Sequence, residues 1–126
     1  MSHIGSISFK ASTTIPAYRI VTMLSATADT VQFAKATTDC FIGITQDTVL
    51  DTGLAIPVAC YGIAKLYFND SCASGALVGT DTSGRGIAFT AVSTGSYCIG
   101  TLVGPKVENT GTIANVLVNP FQINLA

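Results

Sequence analysis

Few side chains in this 126-residue chain could transfer a proton, attack a carbonyl or hold a metal. There are one histidine, four cysteines, seven acids and six bases. General acid–base catalysis needs a titratable pair brought together in a pocket. The acids Asp29, Asp39, Asp47, Asp51, Asp70, Asp81 and Glu108 all fall in predicted turns. Asp and Asn favour turns because their side chains bond nearby backbone groups, so turn formation accounts for them. Asp47 and Asp51 share one loop and could meet loosely around a cation, but no EF-hand spacing surrounds them. A thiol nucleophile needs a base beside it, and His3, the only histidine, lies in a weakly patterned N-terminal stretch. Cys40, Cys60, Cys72 and Cys98 form no CxxC pair and have no histidine neighbour, so a zinc site is not expected. Three of them, Cys40, Cys60 and Cys98, fall in apolar strand patterns and read as small buried hydrophobes. Cys72 sits in a polar turn, open to solvent exposure.

Ser83-Gly84-Arg85-Gly86 has the outline of a phosphate loop. It lacks the Lys-Ser/Thr ending and the helix whose N-terminus would hold an anion, and it reads as a hairpin turn. Four tyrosines and six phenylalanines come without a basic groove, so no platform for single-stranded nucleic acid is expected. The inventory predicts no enzyme, no metal and no cofactor.

The elements that would position any site are organised around a stretch written twice. Cys40-Phe41-Ile42-Gly43-Ile44-Thr45 returns as Tyr97-Cys98-Ile99-Gly100-Thr101-Leu102, 57 residues later. A glycine within a strand pattern marks a bulge or a close backbone approach. Each copy leads to an acidic turn ending in Thr-Gly, Leu50–Gly53 and Glu108–Gly111, and then to an apolar run. The spacing predicts a duplicated β-unit.

Ala17–Leu24 and Thr30–Lys35 read as strands, the second alternating Val31 and Phe33 with polar neighbours. In the long apolar region, Pro57 argues against a central strand and Gly62 is expected to divide it into Leu54–Cys60 and Ile63–Phe68. The second half follows as Ala76–Thr80, Ile87–Ala91, Tyr97–Val103 and Ile113–Val118. No segment has a capped 3.6-residue period. The expected fold is all-β, a small barrel or compact sandwich of two tandem β-repeats, a closure that protects strand edges. Its domain spans 15–120, with halves at about 15–62 and 74–120, an extended N-terminal arm over 1–14 and a tail over 121–126. In the arm, Ile4, Ile7 and Phe9 alternate loosely. They mark either a frayed terminus or a segment that adds a strand to a partner's sheet edge, and they are the expected partner contacts. On the second reading, deleting Ser2–Thr14 leaves the fold intact and weakens attachment.

Charged residues make up 10% of the chain, against roughly 25% in an ordinary soluble domain, while the hydrophobic fraction is 48%. That balance is not the one of a disordered chain, which is poor in hydrophobics and rich in net charge. A net charge of −1 neutralises no phosphate backbone and keeps copies apart only weakly. Interface centres are depleted of charge, so much of this surface is expected to be covered by other protein. No signal peptide or membrane-length apolar run is visible, and synthesis in the cytosol is the expectation, with free thiols favoured over disulfides.

The order of Ile15-Pro16-Ala17-Tyr18-Arg19-Ile20-Val21, Ala36–Ile44, Thr52-Gly53 and Ile56-Pro57-Val58 resembles the capsid cement, or head decoration, proteins of tailed bacteriophages. Ser74–Val78, Cys98-Ile99-Gly100 and Val116-Leu117-Val118-Asn119-Pro120 are similar to their second half. The resemblance covers about 15–120 and rests on arrangement. It implies a small β protein on the outer surface of the virion, made in the host cytoplasm. Its partner would be the major capsid protein, bridged by a homotrimer that stabilises the expanded shell, with no direct contact to nucleic acid or membrane. The competing expectation is a virion-surface β-module for carbohydrate or a host receptor, with Tyr61, Tyr67 and Phe68 as its aromatic platform.

Overall fold

A computed structural model describes residues 4–11, 14–23, 30–34, 41–48, 55–81, 83–89, 97–108 and 110–122. Every regular element among them is a strand: β1 Ile4–Ala11, β2 Ile20–Met23, β3 Thr30–Phe33, β4 Phe41–Thr45, β5 Ala55–Phe68, β6 Leu77–Thr80, β7 Gly86–Ala88, β8 Tyr97–Leu102 and β9 Thr112–Gln122. The all-β expectation holds.

The strands close into rings. β1 pairs in parallel with β3, β3 antiparallel with β2, β2 with β4, β4 with β5, and β5 returns antiparallel to β1. That is a closed five-stranded barrel. The second half of β5 begins the next circuit, pairing antiparallel with β9, which pairs with β8, β8 with β6 and β6 with β7. A parallel bridge from Gly86 to Phe68 brings β7 back to β5. Both circuits use the same pairing senses in the same order, and β5 serves both. Residues 4–11, expected as an arm, lie along the chain's own β5, with Phe9 opposite Ile56 and Ile4 opposite Gly62.

β5 is one 14-residue strand, not two. Gly62 bends it at φ 93°, a left-handed conformation costly for any other residue, without interrupting the ladder. β5 has a neighbour on each side, β1 and β4, but Pro57 is in ladder register only with Ser8 of β1. The β4 ladder ends at Thr45 opposite Val58, and beyond it Gln46 N donates to the Pro57 carbonyl at 3.1 Å. The missing proline N–H therefore falls where the neighbouring strand has run out.

Two apolar clusters fill the structure. Ala11, Ile15, Val21, Val31, Ile56 and Val58 pack inside the first ring, with Phe9, Phe33 and Cys60 partly buried against them. The larger cluster joins Leu66, Phe68, Val78, Ile99, Leu102, Val116 and Val118 to Ile20, Phe41, Ile44 and Ala59, which lie on the other side of the first ring's strands. Full burial of a side chain of this size contributes about 1.5–3 kcal/mol, so these residues outweigh the two ion pairs of the described surface. Cys72 belongs to this cluster and is buried, contrary to its polar-turn reading. Paired backbone bonds with Val107, both 2.9 Å, pull its turn under the 103–108 loop.

Candidate functional site

Three of the acids read from sequence as turn formers, Asp47, Asp70 and Asp81, do that work. Asp47 Oδ1 accepts from Thr48 N and Asp70 Oδ1 from Ser71 N, at 2.8 and 2.7 Å. Asp81 Oδ1 takes the amides of Ser83 and Arg85, while its Oδ2 receives Arg85 Nε at 2.7 Å. The 83–86 stretch is thus a β6–β7 turn, and Gly84 is anchored by Ile20 N donating to its carbonyl at 2.7 Å. Among the described residues no three His, Cys, Asp or Glu side chains gather where a metal could sit. His3, Asp29, Asp39, Cys40 and Asp51 lie outside the described residues. Burial pushes the Cys72 and Cys98 thiols above their ordinary range, which suits packing and not attack.

Of the expected partner contacts, Phe9 is half-buried against the first cluster. Ile4 and Ile7 are fixed through backbone pairing to Gly62 and Val58. The three aromatics of the carbohydrate reading are not brought together as a platform. Phe68 is core, Tyr67 is half-buried, and only Tyr61, 63% accessible, is open to solvent.

The open surface lies elsewhere. Across the first ring, Ile20, Ile44 and Ala59 form a row by direct cross-strand pairing, and all three have zero accessibility because the second half of the chain covers them. The second ring has the corresponding row: Leu77 opposite Thr101, Thr101 opposite Leu117, and Leu117 opposite Ile63. None of the described residues covers it. Leu77, Leu117 and Ile63 are 37%, 43% and 40% accessible. Ile113 and Val103 extend this exposed apolar face.

Beside it runs a groove of about 470 Å³, whose lining includes Tyr18, Lys65, Lys106, Ile113 and Asn115. Tyr18 holds φ 65°, an uncommon value for a residue with a side chain. Its N–H donates to Thr45 O at 2.7 Å, and its carbonyl accepts from Tyr67 N at 3.0 Å. That clamp aims the next residue, Arg19, whose guanidinium lies 4.3 Å from the Tyr67 ring centroid. Burial lowers the Arg19 pKa, proximity to Tyr67 opposes this, Arg85 nearby lowers it further and Asp81 raises it. Lys65 is two residues before Tyr67 on β5 and is exposed. Asp81 takes up Arg85 and Glu108 reaches Lys106 at 3.4 Å, whereas Arg19 and Lys65 form no ion pair among the described residues. Both members of the Lys106–Glu108 pair are largely exposed, and such a pair contributes only about 0–1 kcal/mol. No basic groove is legible in the sequence because these cations are scattered at 19, 65 and 106. Their one local signal was Lys65 alternating with apolar residues along β5.

The geometry defines an all-β, barrel-based protein with an uncovered sheet face and no catalytic cluster among its described residues. No protein-family model matches the chain, and no curated protein sequence matches it. Among solved structures it is similar to the N base of the head fiber gp8.5 in bacteriophage phi29. The TM-score is 0.69 at 13% identity, over 93% of this chain and 95% of that chain. At that identity the likeness is one of fold. No helix of the described residues is long and apolar enough to cross a membrane.

Proposed function

We propose that this chain is a structural, non-enzymatic protein of a phage virion, attached to the outside of the head. The observation that carries the reading is the fold shared along nearly the whole of both chains with the base of a phage head fiber. The turn-bound acids and the buried thiols agree with a role without chemistry. In this role the protein bridges major capsid subunits as a homotrimer and stabilises the expanded shell. A ligand that binds only the intact shell raises its stability by mass action. The exposed row Leu77–Thr101–Leu117–Ile63 supplies an uncharged face for the subunit contact, in a chain whose charged fraction is 10%.

The test is co-sedimentation of the purified protein with heads of the encoding phage assembled without it. Binding, together with a higher temperature of DNA release, is the expected result. Protein that stays in the supernatant at saturating concentration overturns the reading. Analytical ultracentrifugation of the free protein checks the trimer.

A further inference from the structure

We propose that the groove between Tyr18, Lys65, Lys106 and Ile113 seats an acidic segment of a partner protein, with Arg19 held over Tyr67 as a fixed cation at its edge. The inference rests on the capsid-attached reading only for which protein supplies the segment. The groove itself is argued from charge and shape.

The chain carries a net charge of −1, yet this face is locally positive. Lys65 and Lys106 line the same groove, and Arg19 is reached from it through Tyr18, the residue before it in sequence, and through Tyr67, two residues beyond Lys65 on β5. The acids near these cations are already engaged: Asp81 by Arg85 and its own turn, Glu108 by Lys106. Lys65 therefore remains to be neutralised from outside among the described residues, and Arg19 has Asp81 near it but no ion-pair contact. Arg19 is pre-positioned, since it stacks on an aromatic ring and follows a residue held by backbone bonds on both sides. A planar guanidinium fixed in this way favours a planar carboxylate.

The groove's other components narrow the class of ligand. Ile113 is 47% accessible and offers an apolar contact, while Asn115 offers a polar group beside it. An extended peptide alternating acidic and aliphatic side chains meets both requirements, because neighbouring residues of a strand point to opposite sides. Nucleic acid is the weaker match. Duplex and single strands present charge at every nucleotide, and the groove offers few cations to follow it.

The experiment titrates the isotope-labelled full chain with a short peptide alternating glutamate and leucine, and follows backbone amide shifts by NMR. Parallel arms use the corresponding lysine–leucine peptide, inorganic phosphate and oligothymidylate. The glutamate peptide should shift the amides of Lys65, Lys106, Ile113 and Asn115, and the lysine peptide should not. Lys65→Glu should weaken binding about tenfold, Lys65→Gln less so, and Lys10→Glu, on β1, hardly at all. Raised salt should weaken the wild-type complex. Shifts confined to other surfaces, or an affinity indifferent to Lys65→Glu, overturn the proposal. So does tighter groove binding by oligothymidylate, or phosphate reproducing the full response at similar affinity. Peptide binding requires no heads, so a chain that binds the peptide yet fails to sediment with heads sinks the virion reading and leaves the groove standing.

Discussion

Gly43 lies against the carbonyl oxygen of Ala59 so closely that no Cβ fits between them, and Gly100 stands in the same way against Leu117. The pairings explain the match, since Ile44 faces Ala59 as Thr101 faces Leu117. In both places the obstacle is backbone, which cannot swing aside like a flexible side chain. Gly43→Ala and Gly100→Ala should each lower the unfolding free energy by about 1–3 kcal/mol or more, read from urea midpoints. Gly75→Ala is the informative contrast. Its Cβ meets nothing within 4 Å, but its φ is 81°, so the loss should be limited to about 1–2 kcal/mol of conformational strain.

That glycine was legible in the sequence because it was written twice in the same setting, although the carbonyl that requires it lies on the neighbouring strand. The continuity of β5 was not legible, because Pro57 and Gly62 are both strand breakers when judged by their neighbours in sequence. Their costs vanish only in the tertiary structure, where β4 ends beside Pro57 and Gly62 takes the left-handed bend that it alone accepts cheaply. The groove was hidden for a related reason: register across β5 and β9 brings Lys65 opposite Asn115, and a tertiary clamp brings Arg19 to Tyr67.

The N-terminal segment separates two physical pictures. Sequence reading expected its deletion to leave the fold intact. In the structure β1 pairs with β5 from Ile4 to Lys10 and with β3 at Lys10 and Ala11, and it contributes Ala11 and Phe9 to the first core. Removing residues 1–11 should open the barrel, strip two strands of a neighbour and cost more than about 3 kcal/mol. Hydrogen exchange at Ile56 and Val58 reports the opening directly. Native protection in the truncated chain would show that the ring does not depend on β1.

Cys98 predicts how stability depends on alkaline pH. Burial raises its thiol pKa above the ordinary 9.0, although hydrogen bonds to the Gly100 and Val78 backbone work against the shift. Where the unfolded chain has begun to lose this proton, the folded chain still holds it. The stabilisation is therefore complete below about pH 9 and declines as pH rises through the folded-state value. Cys98→Ala should flatten that decline while lowering stability at neutral pH. Alkylation of Cys98 at pH 7 should be slow in the folded protein and fast after denaturation.

Leu117 and Ala59 occupy matching rows, one open and one closed, and a charge at each should have opposite consequences. Leu117 is 43% accessible, so Leu117→Glu should change stability by no more than about 0.5 kcal/mol. It nevertheless places a carboxylate in the centre of the apolar row, beside Thr101 and Ile63, where a covering subunit would have to desolvate it. Co-sedimentation with heads should then fall at least tenfold, with circular dichroism and the urea midpoint unchanged. Ala59→Glu should instead unfold the protein, because that row is sealed by the chain itself and an unpaired buried charge costs several kcal/mol. If Leu117→Glu and Leu77→Glu both bind heads as the parent chain does, the uncovered row is not the capsid-facing surface, and attachment must run through another face.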